Sequence, residues 1–151
     1  MSYQKSSCIE TALQLLSRRD HGEHELVNKL ISKGFSEKDT KEALLYCHHF
    51  HYIDDIRYAK NQVRQHIAKG RGKQRICQEL KQKMISNEDI DCVLNSFDVD
   101  WFELARASAL KKYRIMNTVD AKEYARRVRY LQYRGFNLEQ IQYALNNESE
   151  E

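Results

Sequence analysis

Arg57, Lys60 and Arg64 follow one another at spacings of three and four residues, and Arg71, Lys73 and Arg75 come next around the turn Gly70-Arg71-Gly72-Lys73. Later in the chain Arg126, Arg127, Arg129 and Arg134 repeat the theme, with Tyr130 and Tyr133 set among them. Arginine interleaved with tyrosine suits two tasks: tracking a polyanion backbone, and supplying the anchor points of a protein interface. Any helix needs a solvated face, and Lys and Arg commonly provide it. What singles these residues out is their crowding around one helix and the turn after it, and then around a second helix. A nucleic-acid component of binding would be steeply salt-dependent, because each neutralised phosphate releases counterions.

Catalytic chemistry finds little material. No serine stands in a G-x-S-x-G elbow, and the Gly70 to Lys73 turn lacks the G-x-x-x-x-G-K-[ST] spacing that cradles nucleotide phosphates. Most carboxylates stand where helices begin, opposite the free amides and the positive end of the dipole. Cys47 and His51 are four apart and would share a helix face suited to a soft metal, but no second ligand pair accompanies them. His21, His24 and His66 lie on other elements. The four cysteines, Cys8, Cys47, Cys77 and Cys92, form no C-x-x-C pair, and Cys77 and Cys92 are expected on apolar helix faces as small hydrophobes. The expectation is a non-enzyme with no catalytic residue, no metal and no cofactor.

Charge distribution says more than net charge. There are 25 Lys and Arg against 22 Asp and Glu, for a balance of +3. The first fifty residues hold seven bases and seven acids. Arg57 to Lys83 holds nine bases and one acid, and Arg106 to Arg134 nine bases and two acids. Positive charge is thus segregated into two blocks. The N-terminus has no apolar signal core and no 18 apolar residues run together, so a cytoplasmic protein without a membrane partner is expected.

The elements that must position these blocks are helical. Proline is absent, glycines number five, and Leu, Ala, Lys, Arg, Glu and Gln are plentiful. One pattern is written three times. Ile76, Cys77 and Leu80 lead to Met84-Ile85, a Ser86 cap with Asp89, then Ile90, Val93 and Leu94. Val27 and Leu30 lead to Gly34-Phe35, Ser36 with Asp39, then Ala43-Leu44. Val128 and Leu131 lead to Gly135-Phe136, Asn137 with Gln140, then Ala144-Leu145. Phe35 to Ile85 is 50 residues and Ile85 to Phe136 is 51, which marks an internal repeat. Capping pairs also open the earlier helix of each copy: Ser7 with Glu10, Asp54, and Asp100 with Glu103. Asp20 with Glu23, and Asp120 with Glu123, open the first and third middle helices. In this register Ala12, Ala59 and Ala105 coincide, as a close helix crossing requires. The middle helices are expected to bury Leu26, Val27, Leu30 and Ile31 in the first copy, and Ala121, Tyr124, Val128 and Leu131 in the third.

The expected fold is all-α: three tandem three-helix repeats forming an elongated, curved, right-handed or solenoid-like body that shares a core. The expected divisions are 1–51, 52–98 and 99–147, with a polar tail at 148–151.

Tyr52-Ile53-Asp54-Asp55 with Tyr58-Ala59, then Lys69-Gly70-Arg71-Gly72, then Ile76 to Leu80 and Met84-Ile85, resembles the RecX family of bacterial regulators. The triplicated organisation is similar to that family's fold over nearly the whole chain. One departure is Met84, where the other two copies carry Gly34 and Gly135. The resemblance implies a partner, the RecA filament on single-stranded DNA. It also implies inhibition of the filament's ATPase, strand-exchange and LexA-coprotease activities, with weaker direct nucleic-acid binding. The arginines and lysines named above, with Tyr130 and Tyr133 as an aromatic interface, would be the contact surface of a monomer. Two alternatives remain open on the residues alone: a stand-alone nucleic-acid-binding helical-repeat protein, and a helical-repeat adaptor for another protein.

Overall fold

The structure, a computed structural model, describes residues 6–114 and 119–146, so the polar tail expected at 148–151 lies outside the described residues. Among the described residues nine α-helices succeed one another without a strand: α1 (Cys8–Arg18), α2 (Glu23–Ser32), α3 (Glu37–His49), α4 (Asp55–Ala68), α5 (Lys73–Gln82), α6 (Asn87–Asn95), α7 (Trp101–Tyr113), α8 (Ala121–Tyr133) and α9 (Leu138–Leu145). They fall into three units, α1–α3, α4–α6 and α7–α9, within which the main helix–helix packing occurs.

Seven of the nine helices begin on a side chain that accepts a backbone N–H. Ser7, Ser36, Asp54, Ser86, Asp100, Asp120 and Asn137 each receive the amide three residues on, and Ser7–Glu10 and Asn137–Gln140 close as reciprocal capping boxes. The first helix of each unit crosses the third at a buried alanine, for Ala12, Ala59 and Ala105 are each 0% exposed. Leu30, Leu80 and Leu131 occupy the matching place in the middle helices and are equally sealed.

Three expectations are corrected. The core is not one continuous body: each unit closes over its own apolar cluster, centred on Leu26 and Leu30, on Ile76, Leu80 and Val93, and on Leu131, Phe136 and Ile141, with Trp101 of the third unit reaching against the middle one. Because each core is small, a helix buries only a narrow stripe. Ile31 and Tyr124, expected inside, are 45% and 41% exposed, and Cys92 also faces solvent. The third correction concerns α2, which Asp20 does not cap. Its N-cap is Gly22, with no side-chain bond. Asp20 instead accepts two hydrogen bonds from the Arg57 guanidinium, at 2.8 and 2.9 Å.

The missing cap comes from the next unit. Asp55, the first residue of α4, accepts the Glu23 amide at 3.0 Å. Burial raises the Asp55 carboxyl above its usual range, and that amide partly offsets the effect. The same solution recurs at α5, whose N-cap Gly72 also lacks a side chain. The Gly72 amide donates to the Arg134 carbonyl at 2.7 Å, and the Gln74 amide to the Gly135 carbonyl at 3.1 Å. The positive end of α5 therefore meets the negative end of α8, a favourable alignment of dipoles. The next unit sits against both caps: a Cβ on Gly22 would lie 3.1 Å from the Tyr58 ring, a tight fit, and one on Gly72 only 2.4 Å from the Gly135 carbonyl oxygen, where backbone leaves room for glycine alone. α8, by contrast, carries its own cap in Asp120.

The middle helices end in left-handed residues, Gly34 at φ 96°, Met84 at 60° and Gly135 at 103°. Only Met84 pays for this geometry, about 1–2 kcal/mol for a residue with a Cβ. Its side chain is 67% exposed and contributes nothing to the core. Met84→Gly is therefore expected to raise stability by about 0.5–1 kcal/mol, once glycine's extra freedom in the unfolded chain is subtracted. The urea midpoint measures it, and an unchanged or lower midpoint would show that the strain is relieved by other means.

Candidate functional site

The helices sort the basic residues into three environments. Arg57 is a joint residue: besides Asp20 it reaches the Tyr52 carbonyl at 3.4 Å, and so ties the first unit to the second. Arg75 and Arg134 join the second unit to the third, while Arg71 bonds within the second. Arg71 donates to His66 Nδ1 at 2.7 Å. Arg75 pairs with Glu79 at 3.3 Å, donates to the Tyr133 carbonyl at 3.3 Å and lies 4.9 Å over the Tyr133 ring. Arg134 donates to the Lys69 carbonyl. Arg127 belongs inside the third unit, where it pairs with Glu123 at 3.3 Å and stacks 4.4 Å from the Tyr113 ring, its side chain only 12% exposed.

The remaining residues look outward. Arg64 is exposed on the edge of α4, aimed by a 2.8 Å bond to Asn61 Oδ1 and by the Phe97 ring at 5.6 Å, and Lys60, one turn before it, is half-buried. Lys73 is exposed at the first residue of α5. Arg126 is 62% exposed beside Glu123, and Arg129 is exposed on the same helix. Tyr133 is 72% exposed, whereas Tyr130 is half-buried edge-on to Tyr113, their centroids 5.8 Å apart. Directed charges on α4 and α8 are thus available to a partner, while the arginines at the joints hold the units in register.

Sequence reasoning used Lys69 only as part of a turn motif and passed over Lys111 and Lys112; the three line a cleft of about 640 Å³ together with Arg71 and Arg134. The signal was present, since repeat register makes α4 and α7 equivalent helices. Nothing local said that the ends of both would face one cleft.

Each joint has a buried histidine beside it. His21, 3% exposed, donates from Nδ1 to the Arg19 carbonyl at 3.0 Å and accepts from Lys29 Nζ at Nε2, 2.9 Å away. His66, 8% exposed, accepts from Arg71. Both rings must be neutral to accept from a cation. Burial pushes both below the ordinary value of 6.5; Arg19 and Lys29 add to the effect at His21, and Arg71, Lys69 and Arg75 at His66, against the nearby carboxylates Glu25 and Glu79. The unfolded chain therefore binds these protons first. The stability the neutral rings contribute is present above pH 6.5 and falls away as pH drops below it toward the folded-state values. Urea midpoints between pH 8 and pH 5.5 are expected to decline below about 6.5, a loss reduced in His66→Gln. A flat profile would remove the histidines from the account.

The Cys47–His51 pair does not form a ligand face. Cys47 is fully buried in the first core, and His51 lies beyond the end of α3 in a left-handed conformation. Among the described residues no three His, Cys, Asp or Glu side chains come together to hold a metal ion, and no helix is long and apolar enough to cross a membrane.

Comparison with known proteins places this arrangement. Family profiles described as the first, second and third three-helix domains of RecX match residues 8–47, 54–94 and 98–145. A regulatory protein RecX of Vibrio campbellii is 53% identical over 145 residues, covering 96% of this chain and 94% of its own length. That of Vibrio cholerae is 47% identical over the whole of both chains, and that of Cronobacter sakazakii 36% identical over 94% of this chain and 92% of its own. A crystal structure of regulatory protein RecX superimposes with a TM-score of 0.79 at 29% identity, covering 91% of this chain and 69% of that one. RecX from Lactobacillus salivarius shares the fold, with a TM-score of 0.75 at 20% identity over 91% and 92% of the two chains. The three-unit helical chain with its glycine-capped joints belongs to the RecX family.

Proposed function

We propose that the protein is a non-enzymatic regulator of RecA that binds the RecA filament on single-stranded DNA and restrains its ATPase, strand-exchange and LexA-coprotease activities. Membership of the RecX family supports the regulatory role and its target. The observation that carries the proposed contact surface is the outward charge of α4 and α8: exposed Arg64 with half-buried Lys60 on one, Arg126 and Arg129 on the other, with Lys73 exposed at the start of α5. Arg57, Arg71, Arg75, Arg127 and Arg134 support that surface by fixing the units that present it. Tyr133 offers an exposed aromatic beside it. Such a surface gains from phosphate and from acidic protein alike, as a nucleoprotein filament presents both. The protein acts in the cytoplasm as a monomer, with its units divided near residues 52 and 99.

Reversing Lys60 and Arg64 to glutamate, or Arg126 and Arg129, is expected to weaken inhibition of RecA ATPase on single-stranded DNA several-fold and to flatten its salt dependence. Melting and circular dichroism should stay near wild type, because exposed pairs contribute only about 0–1 kcal/mol. Arg57 is left out of this test, since its reversal would set two carboxylates face to face at a joint. If both double variants inhibit as well as wild type across a salt series, the contact surface lies elsewhere, foremost on the charge-neutral first unit. Equal affinity for bare DNA and for the preassembled filament, with inhibition lost when DNA is in excess, would favour a stand-alone nucleic-acid binder.

A further inference from the structure

We propose that the first joint is a charge-latched hinge, about which the first unit swings while the second and third units move as one block. This goes beyond the regulatory reading above and depends on no property of RecA. Both joints hold neighbouring units together, yet they are built from different bonds. Modest interfaces between folded units are where relative motion is expected, and the kind of bond decides which of two such interfaces gives way first.

At the second joint the acceptors are backbone carbonyls. The Gly72 amide reaches Arg134, the Gln74 amide Gly135, the Arg75 guanidinium Tyr133, the Ser108 hydroxyl Gly70 at 2.8 Å, and the Arg134 guanidinium Lys69. None of these five bonds ends on a carboxylate, so none is an ion pair that salt can screen. Apolar packing crosses the same joint, since Trp101 of the third unit enters the middle cluster.

At the first joint the acceptors are carboxylates, one given by each side. Asp20 of the first unit takes the Arg57 fork at 2.8 and 2.9 Å and Asn61 Nδ2 at 3.4 Å, all from α4. Asp55 of α4 takes the Glu23 amide of α2 at 3.0 Å. The guanidinium–carboxylate pair is bidentate but stands in reach of water, with the Arg57 side chain 46% exposed and that of Asp20 24%. Screening by salt weakens a pair so placed. Apolar packing across this joint is slight. The Tyr58 ring lies against Gly22, which offers only backbone, and among the described residues the middle cluster takes in none from α1 to α3. Ile53, just before α4, stays in the first core, so the pivot falls at Asp54.

Arg64 on α4 and Arg126 and Arg129 on α8 then ride on one rigid block at a fixed spacing. The first unit, whose fifty residues balance seven bases with seven acids, is the arm that adjusts. Its latch is opened by charge alone, without unfolding either core beside it.

The test is amide hydrogen exchange of the full chain, without RecA, at about 0.05 M and about 0.5 M NaCl. The Glu23 and Gln74 amides are matched reporters, one bonded across each joint. Raising the salt is expected to speed exchange at Glu23 about fivefold and at Gln74 by less than about twofold. Asp20→Asn and Arg57→Gln should each do at low salt what high salt does to wild type. The double variant should do no more than either single one, because the two groups act through each other. Circular dichroism should stay near wild type, as neither residue belongs to a core. Small-angle X-ray scattering separates a swinging unit from a frayed helix end: the largest dimension of Arg57→Gln at low salt should exceed that of wild type and match that of wild type at high salt. Equal salt responses at Glu23 and Gln74 overturn the proposal. So does a salt response at Glu23 that persists undiminished in the double variant, or a largest dimension that neither salt nor Arg57→Gln alters.

Discussion

Truncating Leu80 to alanine is expected to destabilise the protein by about 2–5 kcal/mol, since lost transfer energy and an unfilled cavity add. Leu80 is 1% exposed and packs in one cluster with Val63, Ile76, Ile85, Ile90 and Val93. Its carbonyl also accepts the Lys83 and Ile85 amides, each at 3.1 Å, where α5 ends. The readout is built into the chain. Its single tryptophan, Trp101, belongs to α7 but packs against this middle cluster, so tryptophan fluorescence follows the second unit. Leu80→Ala should move the fluorescence transition to much lower urea. Leu30→Ala, in the separate first core, should move it less than it moves the overall circular dichroism. Coincident shifts from both variants would mean that the three cores melt as one and that the joints transmit stability fully. An unmoved transition in Leu80→Ala would show the buried face to be wrongly assigned.

What could be read from the sequence was whatever a few neighbouring residues decide. Caps such as Ser36 to Asp39 and Ser86 to Asp89 are settled three residues apart, and the stripe through Leu30, Leu80 and Leu131 is settled by helical spacing. The joints were illegible because their partners are remote: Glu23 finds Asp55 across 32 residues, Arg57 finds Asp20 across 37, and Arg134 finds Lys69 across 65. Asp20 to Glu23 had the composition of a capping box but not its position, since Gly22 is the residue that stands at the cap. One clue lay in the repeat itself. α2 and α5 each run 10 residues from a glycine, whereas α8 runs 13 from an aspartate, so the first two middle helices lack a cap that the third has. The candidate site was legible by residue type and not by engagement. Arg64 and Arg127 look alike in sequence, yet one stands at an open edge and the other is stacked on Tyr113.

The glycines at the joints give the second large expected effect. Gly34 and Gly135 hold matching places at the ends of α2 and α8, with φ of 96° and 103°. A Cβ on Gly34 would enter open space, so Gly34→Ala is expected to cost only the left-handed penalty, about 1–2 kcal/mol. A Cβ on Gly135 would lie 2.4 Å from Arg75 Cβ and 2.5 Å from the Arg75 backbone nitrogen. Backbone cannot swing aside as a flexible side-chain end can, so overpacking adds about 1–3 kcal/mol, for a total of about 2–5 kcal/mol. Relief requires the third unit to withdraw from the second, and that breaks the Gly72 and Gln74 amide bonds to Arg134 and Gly135 together with the Arg75 bond to Tyr133. Gly72→Ala should act alike, because its Cβ meets the same junction from the other side at 2.4 Å from the Gly135 carbonyl oxygen. Urea midpoints of the three variants decide the matter, with amide hydrogen exchange at Gln74 as the local readout. Gly135→Ala and Gly72→Ala should lose protection there and Gly34→Ala should keep it. Equal midpoints for Gly34→Ala and Gly135→Ala, with Gln74 still protected in both, would mean that the close contact between α5 and α8 is not what sets the two units against each other.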